Sequence, residues 1–277
     1  MTWVVAVRSW NHAIALFDTQ VTSARGPITN FGVMKVQGIA ANAVAGFAGS
    51  TAIGLDILGL MSQAAMARQK SLPANSRFAI QLPFYAMEFI SWLEPQYSSR
   101  YSMKAREQGL EMVILAALPV TEARDDILAD LTQGVKVVFP RPGMEQGFQI
   151  SMLNLITPMS IGSGAGIEEY TNVLDKVARD RWDEFKRKLV DPDQYARFAE
   201  FAADRARAIT PLLEVVLQER PIETVGQQLI CSVITPEGLF GPFFVGGWAK
   251  DRAIFNLATE VRSALQGDQD AVATLRA

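Results

Sequence analysis

Apolar residues run in short blocks between polar turns from the start of the chain. Residues 3–7 (Trp3-Val4-Val5-Ala6-Val7) and 13–17 (Ala13-Ile14-Ala15-Leu16-Phe17) read as two strands joined by Arg8-Ser9-Trp10-Asn11-His12. Residues 33–39 and 42–48 predict a second hairpin. Ser50 stands at an N-cap position, ahead of a helix through Ile53, Ile57, Leu58 and Met61 to about residue 67. A further helical stretch spans about 84–107, with Pro95 as a candidate break. Residues 112–118 form a continuous apolar run, the mark of a buried strand.

The second half is less regular. Charges, Pro140, Pro142 and glycines suggest loops and hairpins over 120–149. Strand patterns return at about 148–153 and 156–161. Gly162-Ser163-Gly164-Ala165-Gly166 predicts a tight turn into a helix over about 167–189. Asp191-Pro192-Asp193 ends that helix and a second follows over about 193–218. Residues 225–234 and 239–245 predict a hairpin around Thr235-Pro236-Glu237-Gly238, before a last helix over about 250–265 and a frayed tail. The order is α+β, with two antiparallel sheets between two helical layers as the arrangement that accommodates it.

Composition narrows the chemistry. A net charge of −3 with no basic run argues against nucleic acid as partner. The single cysteine, Cys231, excludes an internal disulfide and a cysteine-based zinc site. The single histidine, His12, excludes a histidine-rich metal site and reads as a solvated turn residue. No metal or cofactor is expected. No signal-peptide pattern and no membrane-length apolar run occur, so a cytoplasmic protein is expected. The glycine-rich 162–166 segment lacks both the Gly-x-Gly-x-x-Gly pattern and a Walker lysine, so nucleotide binding is not expected.

Thr2 is the residue with the most chemistry. Aminopeptidases usually remove Met before a residue this small. Removal of Met1 would leave one threonine carrying both a nucleophile, its hydroxyl, and a base, its free α-amine. Four segments then occur in order: Thr2 at the head of a strand, Phe17-Asp18-Thr19-Gln20-Val21-Thr22, Lys35 followed by Val44-Ala45-Gly46-Phe47-Ala48-Gly49-Ser50-Thr51, and Ile161-Gly162-Ser163-Gly164. Together they resemble the proteasome β-type and HslV-type peptidases of the N-terminal nucleophile hydrolase superfamily. Taken singly, each has a plainer reading: a first-strand threonine, a strand-end aspartate, a surface lysine, a close-packing glycine.

The resemblance implies a four-layer αββα sandwich, a single domain over 1–277, and insertions around 120–158 and 180–218. It implies a threonine-type peptidase with Thr2, Asp18, Lys35, Gly46 and Ser163 at the catalytic site. Thr2 would attack, and its amine would take the proton. Lys35 would hold that amine as free base, and Asp18 would orient Lys35. Gly46 would donate its N–H to the oxyanion, and Ser163 would hydrogen-bond near the amine. Val21, Val33, Val44 and Ala48 would line the first substrate pocket and favour cleavage after medium apolar residues. The implied partners are a protein or peptide substrate, copies of the chain in a homo-oligomeric ring or spiral, and an AAA+ unfoldase or other regulator; no membrane is involved. Lys35 falls one residue later than the family spacing, which places an insertion in the loop 23–31. Glu223 is the nearest counterpart of a late supporting acid. The same chemistry also fits an amidase acting on a small amide, and a retained Met1 would fit an inactive scaffold subunit.

Overall fold

Alternation along the strands sets the layers. A computed structural model describes residues 3–8, 12–18, 21–23, 26–28, 35–73, 76, 78–118, 131–144, 146–154, 158–165, 229–236 and 238–244. Its strands are β1 (Trp3–Arg8), β2 (Ala13–Asp18), β3 (Val21–Ser23), β4 (Gly26–Ile28), β5 (Val36–Ala40), β6 (Ala43–Gly49), β7 (Leu110–Ala117), β8 (Thr132–Val138), β9 (Gln149–Met152), β10 (Met159–Gly162), β11 (Leu229–Thr235) and β12 (Gly238–Phe244). Its helices are α1 (Thr51–Ser71), α2 (Phe84–Arg100) and α3 (Met103–Glu107). One sheet has the order β10-β1-β2-β11-β12 and the other β5-β6-β7-β8-β9. All pairings in both are antiparallel.

In the first sheet Val4 lies opposite Phe17, and Phe17 opposite Ile230. These residues join Val36, Val44, Val113 and Leu115 of the second sheet in one apolar layer. The two sheets therefore pack face to face, each contributing every second residue. The other face of the second sheet, with Ala45, Phe47, Met112, Ile114 and Val137, packs on α1 and α2 through Ile53, Ile57, Leu58, Phe89 and Leu93. Close approach here requires Gly54, where an added Cβ would lie 2.2 Å from the Phe47 ring. The α+β class and the two antiparallel sheets thus match the sequence pattern. The helices expected over 167–189, 193–218 and 250–265 lie outside the described residues.

Several local expectations are corrected. The helix expected to break at Pro95 runs unbroken from Phe84 to Arg100. Pro95 lies on its exposed face, where the carbonyl that loses its donor can bond water. Buried Leu93 and Tyr97 hold the opposite face. The break comes instead at Tyr101 and Ser102, and the Ser102 hydroxyl caps α3 by accepting the Ala105 N–H at 3.3 Å. α1 reaches Ser71, beyond the expected end, and Ser50 makes no side-chain capping bond. Its N–H instead donates to the Gly109 carbonyl at 2.8 Å. The stretch expected as loops and hairpins does hold a hairpin, in which Thr132–Val138, with Val135 and Val137 buried, pairs antiparallel with Gln149–Met152. The region of the expected insertion holds the β3–β4 hairpin, which pairs Val21 with Ile28. No helix among the described residues is long and apolar enough to cross a membrane.

Candidate active site

Antiparallel pairing brings the start of β1 to the end of β2, so Trp3 faces Asp18. The Trp3 N–H donates to Asp18 Oδ1 at 2.9 Å. Lys35, just before β5 of the other sheet, reaches the same carboxylate, with Nζ 3.4 Å from Oδ1 and 3.3 Å from Oδ2. The side chains are 1% and 0% exposed. An ion pair this deep forfeits most of its hydration, so its geometry must replace what water supplied. Burial holds the Lys35 ammonium below its usual range, while the Asp18 charge and hydrogen bond act in the opposite direction.

Gly46 sits opposite Val36, the residue after Lys35. The Lys35 carbonyl accepts the Phe47 N–H at 2.9 Å. A Cβ on Gly46 would lie 2.6 Å from Val36 Cγ2 and 3.3 Å from Val4 Cγ1. A side chain at Gly46 would overlap Val36 of the same sheet and crowd Val4 of the other. On the other flank, β10 pairs with β1 so that Gly162 faces Trp3. Gly162 has φ +86° and starts the turn that carries Ser163. A Cβ on Gly164 would lie 2.4 Å from the Trp3 indole. Asp18, Lys35, Gly46 and Ser163 thus come from two sheets and four separate segments to lie around Trp3 and Val4. Thr2, one residue earlier, lies outside the described residues.

Two of the expected pocket residues have described side chains. Val44 and Ala48 are 1% and 2% exposed within the apolar layer between the sheets, and present no surface to a ligand there. Val21 lies in β3, with its side chain outside the described residues, as are Val33 and Glu223 altogether. His12 is corrected: it is fully buried beside β2 rather than solvated in a turn. Burial pushes the Cys231 thiol well up, which removes it as a nucleophile. Among the described residues no group of His, Cys, Asp and Glu could hold a metal ion.

Two buried or half-buried charges escaped the sequence reading. Arg8, at the far end of β1, donates from Nε to the Thr132 carbonyl at 3.0 Å and from Nη1 to the Leu153 carbonyl at 2.7 Å. It clamps the first sheet to the second. Glu111 on β7 accepts the Gly162 N–H at 3.1 Å and pairs with Lys136 at 3.0 Å. Each borders an apolar run of the sequence, Arg8 after 3–7 and Glu111 before 112–118. A groove of about 430 Å³ between α1 and α2, walled by Tyr85, Phe89 and Trp92, lies on the far side of the second sheet. It is remote from these groups and takes no part in their chemistry. No protein-family model matches this chain, and a search among curated proteins found no match.

Proposed function

We propose that this chain is an N-terminal-threonine hydrolase, a threonine-type endopeptidase of the proteasome β-type and HslV-type kind, active once Met1 is removed. One observation carries the reading: the buried Asp18–Lys35 pair, tied through Asp18 to the N–H of Trp3, the residue after Thr2. A lysine buried beside Asp18 has little structural value against an apolar residue of its size. Its positive charge has a chemical use there.

In this mechanism the Thr2 hydroxyl oxygen attacks the scissile carbonyl. The Thr2 α-amine accepts the hydroxyl proton, directly or through a water. The Lys35 charge disfavours the ammonium form of that amine, so more of it is free base at neutral pH. Asp18 holds Lys35 in place. The Gly46 N–H donates to the oxyanion of the tetrahedral intermediate. Collapse transfers the proton to the leaving amine and forms an ester to Thr2, which water then hydrolyses. Ser163 supports the amine from the turn beside Trp3.

The four-layer αββα sandwich belongs to the same reading. Its support is the outer face of the first sheet, where Trp3, Val5, Val7, Ile14, Leu16, Cys231 and Val233 are at most 1% exposed. A protein or peptide substrate, a homo-oligomeric ring or spiral, an AAA+ unfoldase or other regulator, and a cytoplasmic setting accompany it.

The test is intact mass of the protein expressed from the codon for Met1, before and after treatment with a threonine-directed epoxyketone. Loss of one Met and a single adduct, absent in Thr2→Ala, is the expected result. A retained Met with no adduct overturns the reading.

A further inference from the structure

Leu110–Ala117 reads Leu-Glu-Met-Val-Ile-Leu-Ala-Ala, so Glu111 is the one charged residue of β7. β7 is the central strand of the second sheet. Glu111 lies opposite Ala48 on one side and Val138 on the other. It shares a face with Val113 and Leu115, which point between the sheets. A carboxylate on that face loses solvation and needs partners for both oxygens. It has them: Oε1 takes the Lys136 ammonium at 3.0 Å, and Oε2 takes the Gly162 N–H at 3.1 Å. Lys136 sits opposite Val113, two residues along from Glu111 on the same face.

The recipient of this bond matters. Among the described residues β10 is the edge strand of the first sheet, paired with β1 alone. Gly162 is its last residue, faces Trp3 across the pair with β1, and opens the turn to Ser163. Glu111 therefore spans the gap between the sheets and fixes the point from which that turn departs. A charged acceptor makes this a stronger and shorter-ranged restraint than a neutral one.

Resting on the hydrolase reading above, we propose that Glu111 is a positioning residue for the reaction. It holds the Gly162–Ser163–Gly164 turn against the start of β1, and Lys136 holds Glu111. Glu111 does not touch the reacting atoms. It acts through the turn that carries Ser163.

The test uses the full chain with Glu111→Leu, Glu111→Gln and Lys136→Met, each checked for a wild-type circular dichroism spectrum. Two quantities are measured: hydrogen exchange of the peptide 159–165, and epoxyketone adduct formation resolved into inhibitor affinity and maximal rate. Glu111→Leu is expected to speed exchange in that peptide alone and to lower the maximal rate about tenfold or more at unchanged affinity, as for a small misplacement of a supporting group. Glu111→Gln keeps an acceptor oxygen and should recover most of both, and Lys136→Met should shift both in the same direction by less. Unchanged exchange in Glu111→Leu overturns the proposal, as does faster exchange with an unchanged adduct rate. A wild-type protein that forms no adduct fails the hydrolase reading itself, before any variant is compared, and the proposal falls with it.

Discussion

The Trp3 N–H and the Asp18 carboxylate are joined across the first strand pair at 2.9 Å. One carboxylate thereby anchors both the backbone next to Thr2 and the Lys35 ammonium. Main-chain position and side-chain charge are set by the same group. A change at Asp18 therefore disturbs the candidate nucleophile and its electrostatics together.

Removing one member of the buried pair should be far worse than removing both. Asp18→Ala leaves the Lys35 ammonium without its carboxylate and should cost ~3–5 kcal/mol of stability. Asp18→Leu combined with Lys35→Met replaces both charges with apolar groups of similar size and should recover most of that loss. Urea unfolding midpoints of the two proteins check this. Epoxyketone reactivity should stay low in both, because stability returns without the Lys35 charge.

Alkaline pH should separate two groups of opposite sign. Burial pushes Tyr85 and Tyr97 up to about 12. The folded state then holds these protons more tightly than the unfolded chain. Their contribution is complete below the unfolded value of ~10 and is lost as pH rises toward about 12. Lys35 is lowered, so the unfolded chain holds the extra proton between the folded value and ~10.4, and stability gains as pH rises through that window. Tyr85→Phe with Tyr97→Phe should flatten the fall in urea midpoint above pH ~10, while Lys35→Met should remove the gain that precedes it at lower pH.

At neutral pH the two tyrosines should differ. The Tyr85 hydroxyl donates to the Met61 carbonyl at 2.8 Å, and the Tyr97 hydroxyl has no partner among the described residues. Tyr85→Phe should cost ~1 kcal/mol and Tyr97→Phe close to nothing. Thermal unfolding of the single variants decides it.

Gly164→Ala should injure the candidate site more than the fold. The added Cβ would overlap the Trp3 indole, which is fully buried and cannot swing away. The turn must then move, carrying Ser163 with it. We expect a Tm within a few degrees of wild type and an adduct rate lower by about tenfold or more. An unchanged adduct rate would mean that the turn has no part in the site.

Gly54→Ala tests the helix layer. Alanine favours a helix over glycine by ~1 kcal/mol, yet the added Cβ meets the Phe47 ring at 2.2 Å. Overpacking typically costs ~1–3 kcal/mol, so the net effect should be destabilising. Pairing it with Phe47→Leu should restore part of the loss, as read from urea midpoints of the two variants.

Much of the fold was legible in local pattern. The strands at Trp3–Arg8, Ala13–Asp18 and Ala43–Gly49 emerge within two residues of their expected ends. Their β-branched and apolar runs, bounded by turn residues, carry that information within a short window. Pro95 misled because a proline's effect depends on which helix face it occupies. The exposed face tolerates it, and no sequence window records that face. His12 misled for the same reason, since its burial comes from packing rather than from its neighbours in sequence.

The sequence by itself determined most of the described elements, the α+β class and the candidate groups Asp18, Lys35, Gly46 and Ser163. Periodicity, turn chemistry and residue type are local properties, readable one segment at a time. Only the tertiary structure decided which groups meet. Lys35 crosses to Asp18 from the other sheet, Glu111 reaches Gly162 over a separation of 51 residues, and Arg8 reaches Leu153 over one of 145. Those contacts depend on strand register and on how the two sheets stack. Both are outcomes of burying every apolar face at once, and no single segment contains them.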